Sequence, residues 1–416
     1  MSTAVRQESG SAVIASVDEI RAHFPALERR HGGAPVAYFD GPGGTQTPRI
    51  VVDAMTDYLL HHNANTHWRY PTSIETDAAL DAARVTVADF LGASPREIAF
   101  GANMTTLTFH LARALGWRWG SGDEVVITEL DHHGNVAPWR TLERERGVVI
   151  RAVPFDVATG QLDWAALERA VGPRTRLVAI GAASNALGTI TDVARAARLA
   201  RDAGALSFVD AVHYAPHALV DVNAIGCDFL ACSAYKFYGP HVGILYGRLP
   251  LFEEMEIPKL DPAPSTAPER WETGTGNHEG IVGAAAAVDF LASLARGGDR
   301  RAGLSATFAE LHRRGQRLVE RLWSGLADID AVRLYGPPPT ARRTPTVAFT
   351  VRGRTTDDVA ERLADDALFL SNGDFYAATV IERLGVPDGV VRAGAACYTT
   401  LEEVERLLDA VARLAR

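Results

Sequence analysis

The stretch Cys227-Asp-Phe-Leu-Ala-Cys-Ser-Ala-Tyr-Lys-Phe-Tyr-Gly-Pro240 decides how the rest of the chain is read. Its first half, Cys227 to Ser233, is an apolar run of strand length, and Gly239-Pro240 then breaks the chain. Between them stands Lys236. Of the 42 basic residues, only Lys236 and Lys259 are lysine, and the other 40 (42 minus these two) are arginine. Arginine stays protonated at any relevant pH, whereas a desolvated lysine loses its proton and attacks a carbonyl to form a Schiff base. A lysine just beyond a buried strand end is partly desolvated, which lowers its pKa.

Working outward, the same pattern of a short apolar strand followed by polar residues recurs. Glu124-Val-Val-Ile-Thr128 precedes Glu129 to His133, Leu177-Val-Ala-Ile180 precedes Ser184-Asn185, and Leu206-Ser-Phe-Val209 precedes Asp210 to His213. Helical patterns separate these strands from about 50 to 300, as expected of a mostly parallel α/β sheet covered on both faces. Ligands of such sheets bind beyond the carboxyl ends of the strands, so the four polar clusters are expected to meet.

The flanks read differently. Residues 1 to about 15 are small and polar and read as a tail, and Ser16 with Glu19 caps a helix that Pro25 stops. Asp40-Gly-Pro-Gly-Gly-Thr45 lacks the ending of a phosphate loop and reads as a turn lining a site. Beyond 300, a long amphipathic helix (Leu304 to Leu326), a strand (Thr346 to Thr350) and a final helix (Leu401 to Leu414) make a smaller α+β domain. The expected division is 1–50 (a segment joining the small domain), 51–300 (the large domain) and 301–416.

A chain of 416 residues with 47% hydrophobic content buries a large core and favours two domains. A net charge of -9 without basic runs argues against nucleic acid or an anionic membrane as partner. Three cysteines with no C-x-x-C pair fit a reducing compartment. With no apolar run of ~18 residues and no signal pattern in residues 1–16, the expectation is a soluble cytoplasmic protein.

Each strand-end residue has two readings. Asp210 is a functional carboxylate or a helix cap; as the former it keeps a ring nitrogen protonated, as a pyridoxal cofactor requires to act as electron sink. His213 then reaches the cofactor's phenolic oxygen, and His132 stacks on the ring. Asn103-Met-Thr-Thr106 opens a helical run, either as a plain cap or as an anion seat for a cofactor phosphate.

Together these residues resemble the class V branch of pyridoxal-phosphate-dependent aminotransferase-fold enzymes, the cysteine desulfurase and selenocysteine lyase group. The resemblance runs from about Tyr38 to the end. It is carried by Glu129 to Trp139, Ser184 to Thr189, Asp210-Ala-Val-His213, Ser233 to Pro240, Arg270 to Thr275 and Val391 to Tyr398. It implies fold type I and pyridoxal 5'-phosphate as cofactor, with no metal. Lys236 would form the Schiff base, with His132, Asp210, His213, Asn185 and Tyr235 around the cofactor. Asn103, Met104, Thr105 and Ser233 would seat the phosphate, and Thr275 would reach across from the second subunit of a homodimer. Arg392 would hold the substrate α-carboxylate as a bidentate fork, with Asn65, His67, Tyr376 and Asn185 lining the substrate site beside Trp68 and Arg69.

The departures bear on the reaction. Where desulfurases carry an Arg-Thr-Gly-His-His-Cys stretch with its sulfur-accepting cysteine, this chain has Ser371-Asn-Gly-Asp-Phe-Tyr376. Cys397 does not match that position, and Tyr235 replaces the usual His before the lysine. The resemblance therefore implies an enzyme acting on an α-amino acid as external aldimine, by β-elimination (C–S lyase chemistry) on a cysteine-derived substrate. Transamination, epimerisation and decarboxylation-coupled deamination stay open, as does an inactive partner subunit of a desulfurase. The hydrolase motifs G-x-S-x-G and H-E-x-x-H are absent.

Overall fold

The computed structural model describes residues 13–416. Most of the tail expected at residues 1–15 lies outside the described residues. At its end, Ala15 N donates to Leu294 O and Ile14 bridges Ala295, so the chain is already paired there. Ser16 and Glu19 form a reciprocal capping box on a helix Val17–Arg21, shorter than the expected run to Phe24.

Seven strands form the large sheet: β1 Ile98–Gly101, β2 Glu124–Thr128, β3 Val149–Val153, β4 Thr175–Gly181, β5 Leu206–Asp210, β6 Phe229–Ser233 and β7 Gly243–Gly247. Their order is β1-β7-β6-β5-β4-β2-β3. Only β7 runs against its neighbours, so the sheet is mostly parallel. Alternate residues of one strand enter opposite faces. Val125, Ile127, Phe208 and Phe229 pack into one core cluster, while Val126, Val209, Leu230 and Cys232 pack into another. A sheet covered on both faces has strands that read as unbroken apolar runs, which is why four of them were legible. Burying each such side chain contributes about 1.5–3 kcal/mol.

The helices used below are α1 Arg49–Asp57, α2 Pro71–Leu91, α3 Met104–Gly116, α4 His278–Ser293, α5 Arg300–Ala327 and α6 Leu401–Leu414. Helix α4 packs on α1 and α2, and α5 spans from α4 to α6. A second, antiparallel sheet holds β8 Val332–Tyr335, β9 Thr346–Val351, β10 Ser371–Gly373 and β11 Val390–Gly394 in the order β8-β9-β11-β10. Its own core contains Val347, Phe349, Val391 and Leu407. Ala37–Tyr38 pairs with Leu368–Phe369, and Gly394 N donates to Phe39 O. The turn Asp40–Thr45 is thereby carried from the second sheet to the end of β6, where Thr45 N donates to Tyr235 O.

Candidate active site

The carboxyl ends of β2, β4, β5 and β6 converge on a cavity of about 810 Å³ lined by Asp131, His132, Asn185, Asp210, Lys236 and Arg392. The close fit at the strand ends depends on two glycines. A Cβ at Gly181 would stand 2.6 Å from Asp131 Oδ1, which instead accepts the Gly181 N–H at 2.7 Å. A Cβ at Gly243 on β7 would meet Asn103 Cα at 2.6 Å, so glycine lets this strand run beside the start of α3.

Lys236 is buried, and its Nζ donates to the carbonyls of Pro42 and of Gly43, the latter at 3.0 Å. Burial, reinforced by the Arg392 charge, lowers its pKa to about 7. Asp210 accepts from Val212 N at 2.9 Å, and burial raises its carboxyl to about 6. Asp131, wholly enclosed beside Asp210, is pushed well above the usual carboxylate range by burial first and by its neighbour's charge second. His132 is lowered to about 4, mainly by burial and then by Lys236. Its Nδ1 accepts from Gly134 N at 2.8 Å, which leaves the proton of the neutral ring on Nε2. His213 is buried and held neutral by burial; its Nε2 meets the hydroxyls of Thr344 and Thr346 at 3.1 and 3.2 Å.

The start of α3 forms one side of the cavity. Asn103 Oδ1 accepts from Thr106 N at 2.9 Å, so Asn103 is a cap. Met104 N donates to Ser233 Oγ at 3.0 Å, which joins the helix start to the end of β6, and Thr105 lines the cavity beside them.

On the opposite wall, Arg392 of β11 is buried and uses its donors on Asn185 O at 2.8 Å and Ser371 Oγ at 3.3 and 3.1 Å. Those are three of the five N–H groups of a guanidinium, and two stay free for an anion. Phe375 lies under the guanidinium with 3.8 Å from Cζ to the ring centroid, and its carbonyl accepts from Asn185 Nδ2 at 3.0 Å. Tyr376 O accepts from His133 N at 2.7 Å, and its ring is 5.7 Å from that of His132. Phe375 and Tyr376 both take φ of 55°, a left-handed conformation that costs non-glycine residues roughly 1–3 kcal/mol each. Tyr235 stacks on His241 at 4.8 Å.

Asp131, His241 and Phe375 were not singled out from the sequence. Asp131 lies inside a strand-end polar cluster and within the Glu129 to Trp139 stretch, and neither sets it apart from its neighbours. Conversely, Asn65, His67, Trp68 and Arg69 do not line this cavity among the described residues. They sit exposed on the loop after α1, where Asp77 accepts from His67 N at 3.2 and 3.1 Å. The backbone of this loop is tied to α2, where Trp68 N donates to Ser73 Oγ at 2.9 Å and Ser73 Oγ donates to Asn65 O at 2.6 Å. Thr275 is likewise exposed and outside the cavity of its own chain. Cys227, Cys232 and Cys397 are all buried and free, and none lines the cavity.

Residues 37–407 match the family described as Aminotransferase class-V. This chain belongs to that family. It is 33% identical to a cysteine desulfurase of Dickeya dadantii over 96% of this chain and 97% of the relative. Among solved structures, the apo cysteine desulfurase of Thermococcus onnurineus NA1 superposes with a TM-score of 0.87 at 31% identity, covering 96% and 98% of the two chains. The cysteine desulfurase CsdA (S-sulfonic acid) of Escherichia coli gives 0.83 at 28% over 96% and 98%. A lysine-to-alanine mutant of C-DES, with glycine covalently linked to its PLP cofactor, shares the fold at 21% identity and a TM-score of 0.78 over 94% and 98%.

The chain is a pyridoxal-phosphate-dependent enzyme of fold type I, and the residues present fit that cofactor. Asn185 Oδ1 and His213 Nδ1 are buried without a partner, and both residues line the cavity. An amine of lowered pKa suits an aldehyde, a buried carboxyl suits a ring nitrogen, and a helix start with hydroxyls suits a phosphate. Among the described residues no helix is long and apolar enough to cross a membrane, and no group of three or more His, Cys, Asp and Glu could hold a metal ion.

Proposed function

We propose that this enzyme catalyses β-elimination on a cysteine-derived amino acid, releasing a thiol. Related enzymes are named cysteine desulfurases, which supports C–S bond cleavage as the reading. The observation that carries the present reading is that no cysteine among the described residues lines the cavity, while a buried amine and a buried guanidinium do. Transfer of sulfur to an enzyme thiol then lacks its acceptor, whereas elimination needs none.

Lys236, Asp210, His132 and His213, with the start of α3 and Ser233, would hold pyridoxal phosphate. When bound, that cofactor supplies a protonated ring that withdraws electrons from the substrate's Cα. Arg392 offers its free N–H groups to the α-carboxylate, and the Phe375 ring fixes the plane of the guanidinium. Lys236, whose amine pKa burial brings to about 7, takes the Cα proton. The electron pair of the Cβ–S bond leaves with sulfur, which departs as thiolate or thiol. Water converts the remaining unsaturated amine to pyruvate and ammonia. Asn185 ties Arg392 to the Phe375 segment and keeps the carboxylate seat in register with the amine.

A second copy of the chain completes this reading. Leu59, Leu60, Trp68, Tyr70 and Ile74 form an exposed apolar stretch that a partner would cover, and Thr275 would serve the partner's site. Light scattering at the mass of a single 44.7 kDa chain would remove the homodimer from the proposal. Three free buried thiols fit a cytoplasmic enzyme.

The deciding experiment offers the holoenzyme a panel of α-amino acids and identifies products by mass. Equal amounts of pyruvate, ammonia and thiol from an S-substituted cysteine support elimination. Alanine with enzyme-bound sulfur, an oxo-acid with aminated cofactor, or carbon dioxide would each overturn it.

A further inference from the structure

Charged side chains lining the cavity are few: Asp131, Asp210, Lys236 and Arg392, all of them buried. In the reading above, Arg392 is spent on the substrate carboxylate and Lys236 and Asp210 on the cofactor, while Asp131 accepts from Gly181 N and Asn135 Nδ2. No charged group among the described lining residues is then left to recognise a second charge on the substrate. What remains on the wall next to Arg392 is aromatic.

The segment providing it is built to stay in place. Phe375 is held through its ring by Arg392 and through its carbonyl by Asn185, while the Tyr376 carbonyl accepts from His133 N. Tyr376 N donates to Asp374 Oδ1 at 2.9 Å and Ala377 N to Asp374 O at 2.8 Å, which closes the turn. Two successive left-handed non-glycine residues persist only where surrounding contacts over-determine them, and such positions cluster at ligand clamps. Stacking uses the face of the Arg392 guanidinium and leaves its edge for a carboxylate. Tyr376 as a residue is 74% exposed, so its ring is free to cover a neighbour without rearranging the core.

We infer that the Ser371–Tyr376 loop reads the substrate side chain, selecting amino acids whose Cβ substituent is uncharged and aromatic. The inference rests on the assignment of Arg392 as carboxylate anchor. A ring on the substrate would lie between Tyr376 and the Tyr235–His241 stack. Aromatic pairs in such a cleft gain beyond their buried area, whereas a second carboxylate would be desolvated without a cation.

The test uses ligands that cannot react. Binding of 3-phenylpropionate, propionate and succinate to the holoenzyme is measured by calorimetry, alongside kcat/KM for S-benzylcysteine and β-chloroalanine. The expected result is that 3-phenylpropionate binds at least tenfold more tightly than either propionate or succinate. Tyr376→Ala should cut that ratio at least fivefold, and Phe375→Leu should weaken all three carboxylates. Succinate binding as tightly as 3-phenylpropionate, or a ratio unmoved by Tyr376→Ala, overturns the inference. Tyr376 is exposed, so its variant is expected to fold, and a thermal melt matching the parent checks this. If the ratio behaves as expected while no thiol is released from any substrate, the loop assignment stands and the elimination reading falls. If thiol is released without aromatic preference, the reverse holds.

Discussion

The floor of the active site and the loop that covers it were made by different physics. Lys236, Asp210 and His132 stand at the ends of strands buried on both faces, where the sheet fixes each backbone and burial shifts each pKa. Ser371–Tyr376 begins as the edge strand β10 of an antiparallel sheet and holds its shape through a stacked guanidinium and four hydrogen bonds. A rigid floor fixes which cofactor is used. A covering loop is cheaper to alter and, on the proposal above, would decide what that cofactor is applied to.

The largest expected effect comes from breaking the floor. Lys236→Ala should lower turnover on every substrate by roughly 10³-fold or more and, in protein freed of amino acids, remove the cofactor's absorption band at ~420 nm. If the band survives in that variant, the floor does not work as described. Loop variants should instead change the ratio between substrates.

A second, smaller effect is in pH. A lysine with an unshifted amine is protonated until the pH approaches 10.5, whereas burial brings Lys236 to about 7. The protonated form cannot attack the cofactor's aldehyde, so capture of pyridoxal phosphate by the apoenzyme should be slow below pH 6. It should rise through pH 7 and level off above 8. Stopped-flow absorbance across this range gives the midpoint, and a rate still climbing tenfold per unit at pH 9 would show an ordinary lysine.

The smallest effect separates two roles of one residue. Asn103 caps α3 through Thr106 N, so Asn103→Ala should cost about 0.5–2 kcal/mol in a denaturant titration. Cofactor affinity should move less than threefold if the cap is its whole task. A tenfold loss with no change in stability would make Asn103 a phosphate ligand instead.

Much of the floor was legible because strand-end residues follow directly from apolar runs in the sequence. Strand β7 escaped notice: Gly239-Pro240 was read only as a break, yet the chain reverses there and returns antiparallel to β6. The Phe375–Arg392 stack was equally hidden. Seventeen positions separate the two residues, and they meet because β10 and β11 pair with Ser371 opposite Arg392. Register of this kind is set by sheet pairing and leaves no periodic trace. The loop holding Asn65 and His67 lies on the surface of the single chain, away from that chain's own cavity.

The scarcity of lysine in this arginine-built chain gives it an unusual chemical addressability. An endoprotease that cuts only after lysine would divide the unfolded chain into three pieces, 1–236, 237–259 and 260–416. Once borohydride has fixed the cofactor to Lys236, the first cut is blocked and two pieces remain. Occupancy of a single buried nitrogen can thus be read on a gel, without any substrate at all.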